Sequence, residues 1–272
     1  MLGYGRGAYY AQRRRHKQGQ QRRDAVLALV GQQRSILPRV GTRKLHHLIK
    51  EQLAGAGLSL GRDGLFDLLR EQSLLVARRK RYVQTTDSRG WMRQFKDLTK
   101  GLEVTACGQL WVSDITYLDT REGPLYLTLV TDAFSRRIMG HSVASTLEAS
   151  SVAQALKEAL KEGRPGEGLI HHSDRGNQYL SQTYRSICLE AGMRQSTTQD
   201  GNPYDNALAE RMNRTLKEEF GLDQKLPSRS LAERLCGQAV QHYNTIRPHL
   251  ALKMQTPDQV YKNSLTPLME SG

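Results

Sequence analysis

From residue 105 the chain changes rhythm, and that change limits its possible folds more than any other feature. QLWVSDITYL, PLYLTLVTDAFS and RIMGHSVAS read as three consecutive strands, rich in β-branched and aromatic residues. Gly123-Pro124 turns the first into the second. SSVAQALKEALKEG is an amphipathic helix, with Val152, Leu156, Ala159 and Leu160 on one face. GLIHHSD reads as a short buried strand, SQTYRSICLEAGM as a helix and RQSTTQ as a strand. After the turn-rich QDGNPYDN come the helices ALAERMNRTLKEEF and LAERLCGQAVQHYNTI, the second stopping before Arg247-Pro248. Three antiparallel strands followed by alternating helix and strand predict an α/β sheet with helices on both faces.

The front of the chain is different. Residues 1–23, with Arg13-Arg14-Arg15-His16-Lys17 and Arg22-Arg23, are too charged to pack and are expected to form a basic arm. From Asp24, AVLALVGQQRSIL predicts a helix stopped by Pro38. Leu45, Leu48, Ile49 and Leu53 then repeat at helical spacing up to Gly55 and Gly57. A third helix carries Leu65, Leu68 and Leu69 on one side. Two short helices across a glycine-containing turn suggest a helix-turn-helix, and a plain three-helix bundle gives the same pattern. Arg62 near the start of the last helix, and Arg78, Arg79, Lys80 and Arg81 after it, favour DNA contact. The expected division is an arm at 1–23, a helix-turn-helix domain at 24–81, a linker at 82–104, a catalytic domain at 105–262 and a tail at 263–272.

Charge separates along the same line. Residues 1–100 hold 22 basic and 7 acidic side chains, a net of +15, whereas residues 101–272 hold 18 and 20, a net of −2. A basic front on a nearly neutral body points to one part that holds a polyanion and another that does chemistry. A solubilising tail is the blander explanation. The cysteines, Cys107, Cys188 and Cys236, are odd in number and far apart, which argues against a disulfide framework or a cysteine zinc site and suits a reducing cytosol. MLGYGRGAYYAQRRR lacks the apolar stretch of a secretory signal, and no segment approaches the ~20 apolar residues of a membrane span. A soluble cytoplasmic, nucleoid-associated protein with no membrane partner is therefore expected.

Three carboxylates carry the chemistry. Asp114 lies inside the first strand beside Trp111, Val112 and Ile115, Asp174 ends the fourth strand, and Glu210 lies one turn into the helix after DGNPYDN. A carboxylate in a buried strand is costly unless paired, hydrogen-bonded or bound to a cation. Three meeting at a sheet end would form a hard-oxygen pocket for Mg²⁺ or Mn²⁺, and two such ions suit phosphodiester displacement. On the helix ALAERMNRTLKEEF, Arg214 and Lys217 fall on the side of Glu210, with Lys217 about 10 Å further along. DNA contact competes there with a solvated face of charge pairs such as Arg214 with Glu218.

The spacing of 59 residues between Asp114 and Asp174 and of 35 between Asp174 and Glu210 accompanies WVSDITYL, HHSDRGNQY, DNALAERMNRTLKEE and YNTIRPHLAL with TPDQVY. In these motifs the chain resembles the DDE transposase and retroviral-integrase superfamily, most of all the OrfB catalytic subunit of insertion sequences of the IS-three family. The resemblance covers roughly residues 40–262. It implies a ribonuclease-H-like mixed sheet flanked by helices, preceded by a small all-α helix-turn-helix domain. It implies Asp114, Asp174 and Glu210 as the catalytic metal ligands, DNA cleavage at element ends, and strand transfer by the freed 3′-hydroxyl onto target double-stranded DNA. A lysine seven residues after the glutamate, here Lys217, implies a DNA-end contact, and Arg175 and Asn177 flank the second aspartate. The zinc module of retroviral integrases is absent, since no cysteine precedes Cys107. The resemblance also implies a homo-oligomer on DNA and an upstream-frame helix-turn-helix subunit, separate or fused. A catalytically silent DNA-binding protein and a ribonuclease H for RNA–DNA hybrids are the rival functions.

Several neighbours have structural expectations. Asp205 and Asn206 should cap the Glu210 helix, Asp200, Gly201 and Asp132 should form turns, and Gly176 should permit a tight turn beside DNA. Glu218 and Glu219 lie too far along their helix to share an ion with Glu210. His171, Trp111 and Tyr117 should be core residues. Asn244, Arg247 and His249 suggest packing or contact with a DNA backbone.

Overall fold

The computed structural model describes residues 6–77, 95–163, 168–198 and 206–269. The chain forms two compact units, Met1–Lys80 and Arg81–Gly272. The expected contacts of Arg78, Arg79, Lys80 and Arg81, and the turn and cap roles of Asp200, Gly201 and Asp205, lie outside the described residues.

The first unit corrects one expectation. Its first helix, α1 (Arg6–Ile36), does not begin at Asp24 but runs unbroken for 31 residues. Side chains 6–25 are all exposed, so this segment does not pack, as its charge requires. It is helical because Val26 and Val30 are anchored in the core. Once a helix is nucleated, each added residue of good propensity, such as Ala, Gln or Arg, gains a hydrogen bond at small cost. α2 (Thr42–Gly55) buries Leu45, Ile49 and Leu53, and α3 (Arg62–Glu71) buries Leu65, Leu68 and Leu69. Gly57 in the intervening turn has φ +67°, a backbone that favours glycine. Arg62 is exposed and bonds to exposed Asp63 at 2.8 Å, a pair that contributes little to stability.

The second unit is built on five strands, β1 (Leu110–Thr120), β2 (Gly123–Asp132), β3 (Ile138–Ala144), β4 (Ile170–Ser173) and β5 (Arg194–Thr197). The order across the sheet is β3-β2-β1-β4-β5. β1, β2 and β3 pair antiparallel, whereas β4 joins β1, and β5 joins β4, in parallel. This is the expected ribonuclease-H-like mixed sheet. One face packs on α4 (Ala149–Glu162) and α6 (Gln182–Glu190), joining Trp111, Val130 and Met139 to Ala155, Leu156, Tyr184 and Cys188. The other packs on α7 (Ala207–Phe220) and α8 (Arg229–Thr245), with Leu118, Leu127 and Leu129 against Met212, Leu216 and Tyr243. A short helix, α5 (Asn177–Leu180), follows Asp174 where no helix was expected, and α9 (Pro257–Met269) runs past residue 262.

Tyr117 departs from expectation. It shares a β1 face with Ser113 and Ile115 yet stays 49% exposed. Trp111 is buried as expected. The YNTIRPH segment is structural: the Asn244 amide accepts from Ile138 N and donates to Ile138 O, both at 2.9 Å, tying α8 to the edge strand. Arg247 makes a two-pronged bond to Glu219, 2.7 Å on each arm, and lies near the Tyr243 ring and His249 Nε2. Such a fork is the strong form of carboxylate pairing, and it engages Glu219 away from any metal.

Candidate active site

Asp114 sits midway along β1, opposite Leu129 of β2, and its side chain points to the α7 face. Asp174 follows the last residue of β4, the strand paired with the start of β1. Glu210 is in the first turn of α7. The fold thus brings together three residues remote in sequence. Burial and the nearby Asp174 charge push the Asp114 carboxyl up to about 7, with Glu210 adding a smaller push in the same direction and the Asn213 hydrogen bond opposing it. Burial also raises Asp174, against the pull of the Gly176 N–H. Burial raises Glu210, offset by Arg214.

The arrangement supplies hard oxygen donors and, at Asp114, a carboxylate whose neighbours oppose its charge, which a divalent cation would relieve. Glu210 is near enough to act on Asp114 electrostatically but does not close a cage: among the described residues, no three His, Cys, Asp or Glu side chains are spaced to hold an ion. The three-carboxylate pocket expected from sequence is thus not formed among the described residues, although Asp174 and Glu210 both act electrostatically on Asp114.

These shifts set a pH dependence. An aspartate whose folded value exceeds its unfolded ~3.9 stabilises the fold only below that unfolded value, and the contribution is lost as pH rises toward 7. Cation-free Asp114→Asn should therefore melt about 5–10 °C higher than wild type at pH 8, with the gain shrinking as pH approaches 4. Thermal melts across that range check this, and an equal gain at both ends would contradict it.

Around the carboxylates, α7 lies on β1 through three side chains of one stripe. Asn206 Nδ2 donates to Ser113 O at 3.0 Å, Asn213 Nδ2 to Asp114 Oδ2 at 2.9 Å, and Lys217 Nζ to Tyr117 O at 2.7 Å. Asn206 thus occupies the N-cap position of α7 without capping it. Lys217 is drawn against β1, and burial lowers its ammonium. Arg214 stays exposed one turn past Glu210. Asn213 escaped the sequence reading, although its place three residues after Glu210 on the helix face turned to β1 was a usable signal.

On the Asp174 side, Gly176 has φ −57°, so a left-handed backbone is not its role. Its N–H donates to Asp174 Oδ1 at 3.0 Å, and a Cβ there would lie 3.1 Å from that same oxygen. Arg175 Nε donates to Thr198 O at 2.7 Å, and Asn177 is exposed at the start of α5. His171 is buried against Tyr184 Oη at 2.9 Å, and burial lowers it to about 4, a neutral core residue. Asp132 is fully buried and binds Ser135 N, Ser135 Oγ and Gly108 N, which fixes it as a turn residue.

The Integrase core domain family matches residues 105–203 and again 191–257. The transposase for insertion sequence element IS904 of Lactococcus lactis is 37% identical over 161 residues, covering 59% of this chain and 64% of that protein. The uncharacterized 31 kDa protein of insertion element IS600 of Shigella sonnei is 34% identical over 219 residues, covering 80% and 79%. Among solved structures, the HTLV-2 integrase catalytic core domain in complex with magnesium aligns at a TM-score of 0.48 and 21% identity, covering 58% of this chain and 99% of that one. Among the described residues, no helix is long and apolar enough to cross a membrane. The chain belongs to the integrase-core family, with the DDE transposases of insertion sequences in the retroviral-integrase superfamily.

Proposed function

We propose that the chain cleaves DNA at the ends of an insertion sequence and joins the freed 3′-hydroxyl to target DNA, with Asp114, Asp174 and Glu210 holding two Mg²⁺ or Mn²⁺ ions. The observation that carries this reading is a half-buried aspartate in a sheet strand whose ionisation Asp174 and Glu210 both oppose, in a sheet otherwise built for packing. The ions would supply charge neutralisation for the attacking and departing oxygens. Asp114 and Asp174 are fixed by strand and turn backbone, and Glu210 by the α7–β1 stripe. Arg214, Lys217, Arg175 and Asn177 are assigned to the DNA backbone, with Lys217 exchanging its β1 carbonyl for a phosphate. Arg62, the exposed half of α1 and the basic run Arg78, Arg79, Lys80 and Arg81 are assigned to sequence-independent phosphate contacts. The working form is a homo-oligomer bridging two element ends in the bacterial cytoplasm, acting with an upstream-frame helix-turn-helix subunit.

A joining assay with labelled element ends tests this. Products should form with Mg²⁺ or Mn²⁺ and vanish in chelator. Retention of the ends without any joining would favour the silent DNA-binding reading, and faster cutting of RNA–DNA hybrids would favour a ribonuclease H.

A further inference from the structure

Residues 6–23 of α1 hold seven lysines and arginines and no acid, and every side chain there is exposed. Among the described residues, Arg23 is the only one of the seven in an ion pair, to Glu71 at 3.2 Å. At about 100° per residue, Arg13, Arg14, Arg15 and Arg23 point roughly 0°, 100°, 200° and 280° around the axis. The segment is therefore positive on all sides, whereas a helix lying on a flat polyanion would use one side alone. Charges so arranged repel one another, Arg13 and Lys17 at i,i+4 included, until a polyanion surrounds them. α3, the helix that a helix-turn-helix would insert, is the reverse. It exposes Asp63, Asp67 and Glu71 against Arg62 and Arg70, and both arginines are paired, to Asp63 at 2.8 Å and to Asp67 at 2.6 Å.

We propose that residues 6–23 of α1, rather than α3, enter the major groove of duplex DNA as a helix, with arginines on opposite sides reaching the phosphates of both groove walls. The dimensions agree: a helix with its side chains is ~10–12 Å across, and the groove is ~12 Å wide. At about 1.5 Å per residue the segment is roughly 27 Å long, most of one turn of the duplex. This rests on the reading of the basic front as the part that holds DNA.

Binding of the full chain to a labelled duplex of mixed sequence, without divalent cation, tests this apart from any chemistry. Dimethyl sulfate methylates guanine N7, which faces the major groove, and so reports whether the groove is filled. Saturating wild type should protect the guanines. Gln18→Pro should bind about tenfold more weakly or worse and leave the guanines open at saturation, because an interior proline breaks a helix. Its thermal midpoint should hold, since a proline is tolerated in the first turn of the helix that remains. Should that variant fail to fold, Gln18→Gly with Gln20→Gly loosens the same turn without a clash and should weaken binding by about tenfold. Guanines still protected in a folded Gln18→Pro would give the groove to another element and overturn the proposal. Affinity within about twofold of wild type in the folded variants would make the segment a flexible phosphate clamp and overturn it too. A wild type that binds no duplex fails the underlying DNA reading, whereas one that binds with its guanines open fails the groove assignment alone.

Discussion

Asp114→Asn, Asp174→Asn and Glu210→Gln are each expected to abolish end cleavage and joining, by roughly 10³-fold or more, while retention of DNA ends on a filter changes little. Each substitution keeps side-chain volume and removes a charge. For Asp114 the charge is an electrostatic liability in the cation-free fold, since Asp174 and Glu210 both oppose its ionisation. Evicting that charge should stabilise the protein, so lost activity in Asp114→Asn would coincide with raised thermal stability. That combination excludes unfolding as the cause. Full joining by any one variant would remove that residue from the ligand set, and Glu210 is the most informative because it lies beside the pair rather than within it.

The second large effect is structural. Gly140 lies in β3, next to the point where the β2–β3 register shifts. A Cβ built there would lie 2.1 Å from Ala155 O and 2.5 Å from Ala159 N, both backbone atoms of α4. A flexible side chain could swing away, but a helix backbone cannot without moving the whole of α4. That helix carries Ala155, Leu156 and Ala159 into the core beneath β1. Gly140→Ala should cost about 3 kcal/mol, near the upper end for overpacking, and Gly140→Val should leave no cooperative fold. Chemical denaturation measures the first, and a cooperative melt within a few degrees of wild type for the valine variant would refute the close approach.

Sequence reading reached the sheet because period-two alternation and glycine punctuation are local signals, and it singled out Asp114 because a charge in an apolar strand is conspicuous. Three features were beyond it for physical reasons. The helical state of residues 6–23 depends on anchorage at Val26 and Val30, not on any periodicity of its own. Tyr117 keeps the alternation of a buried position, and its exposure is set by tertiary packing that alternation does not encode. Asn206, Asn213, Asn244 and Arg247 are polar residues whose partners lie 28 to 106 positions away in sequence, so no window of sequence pairs them.

Anomalous scattering from Mn²⁺ in crystals of the protein bound to its element ends tests the central claim most directly. The account predicts cation density shared by the carboxylates of Asp114 and Asp174, with Glu210 brought into coordination beside the scissile phosphate. Density elsewhere, or Asp114 and Asp174 turned away from a common ion, would contradict it.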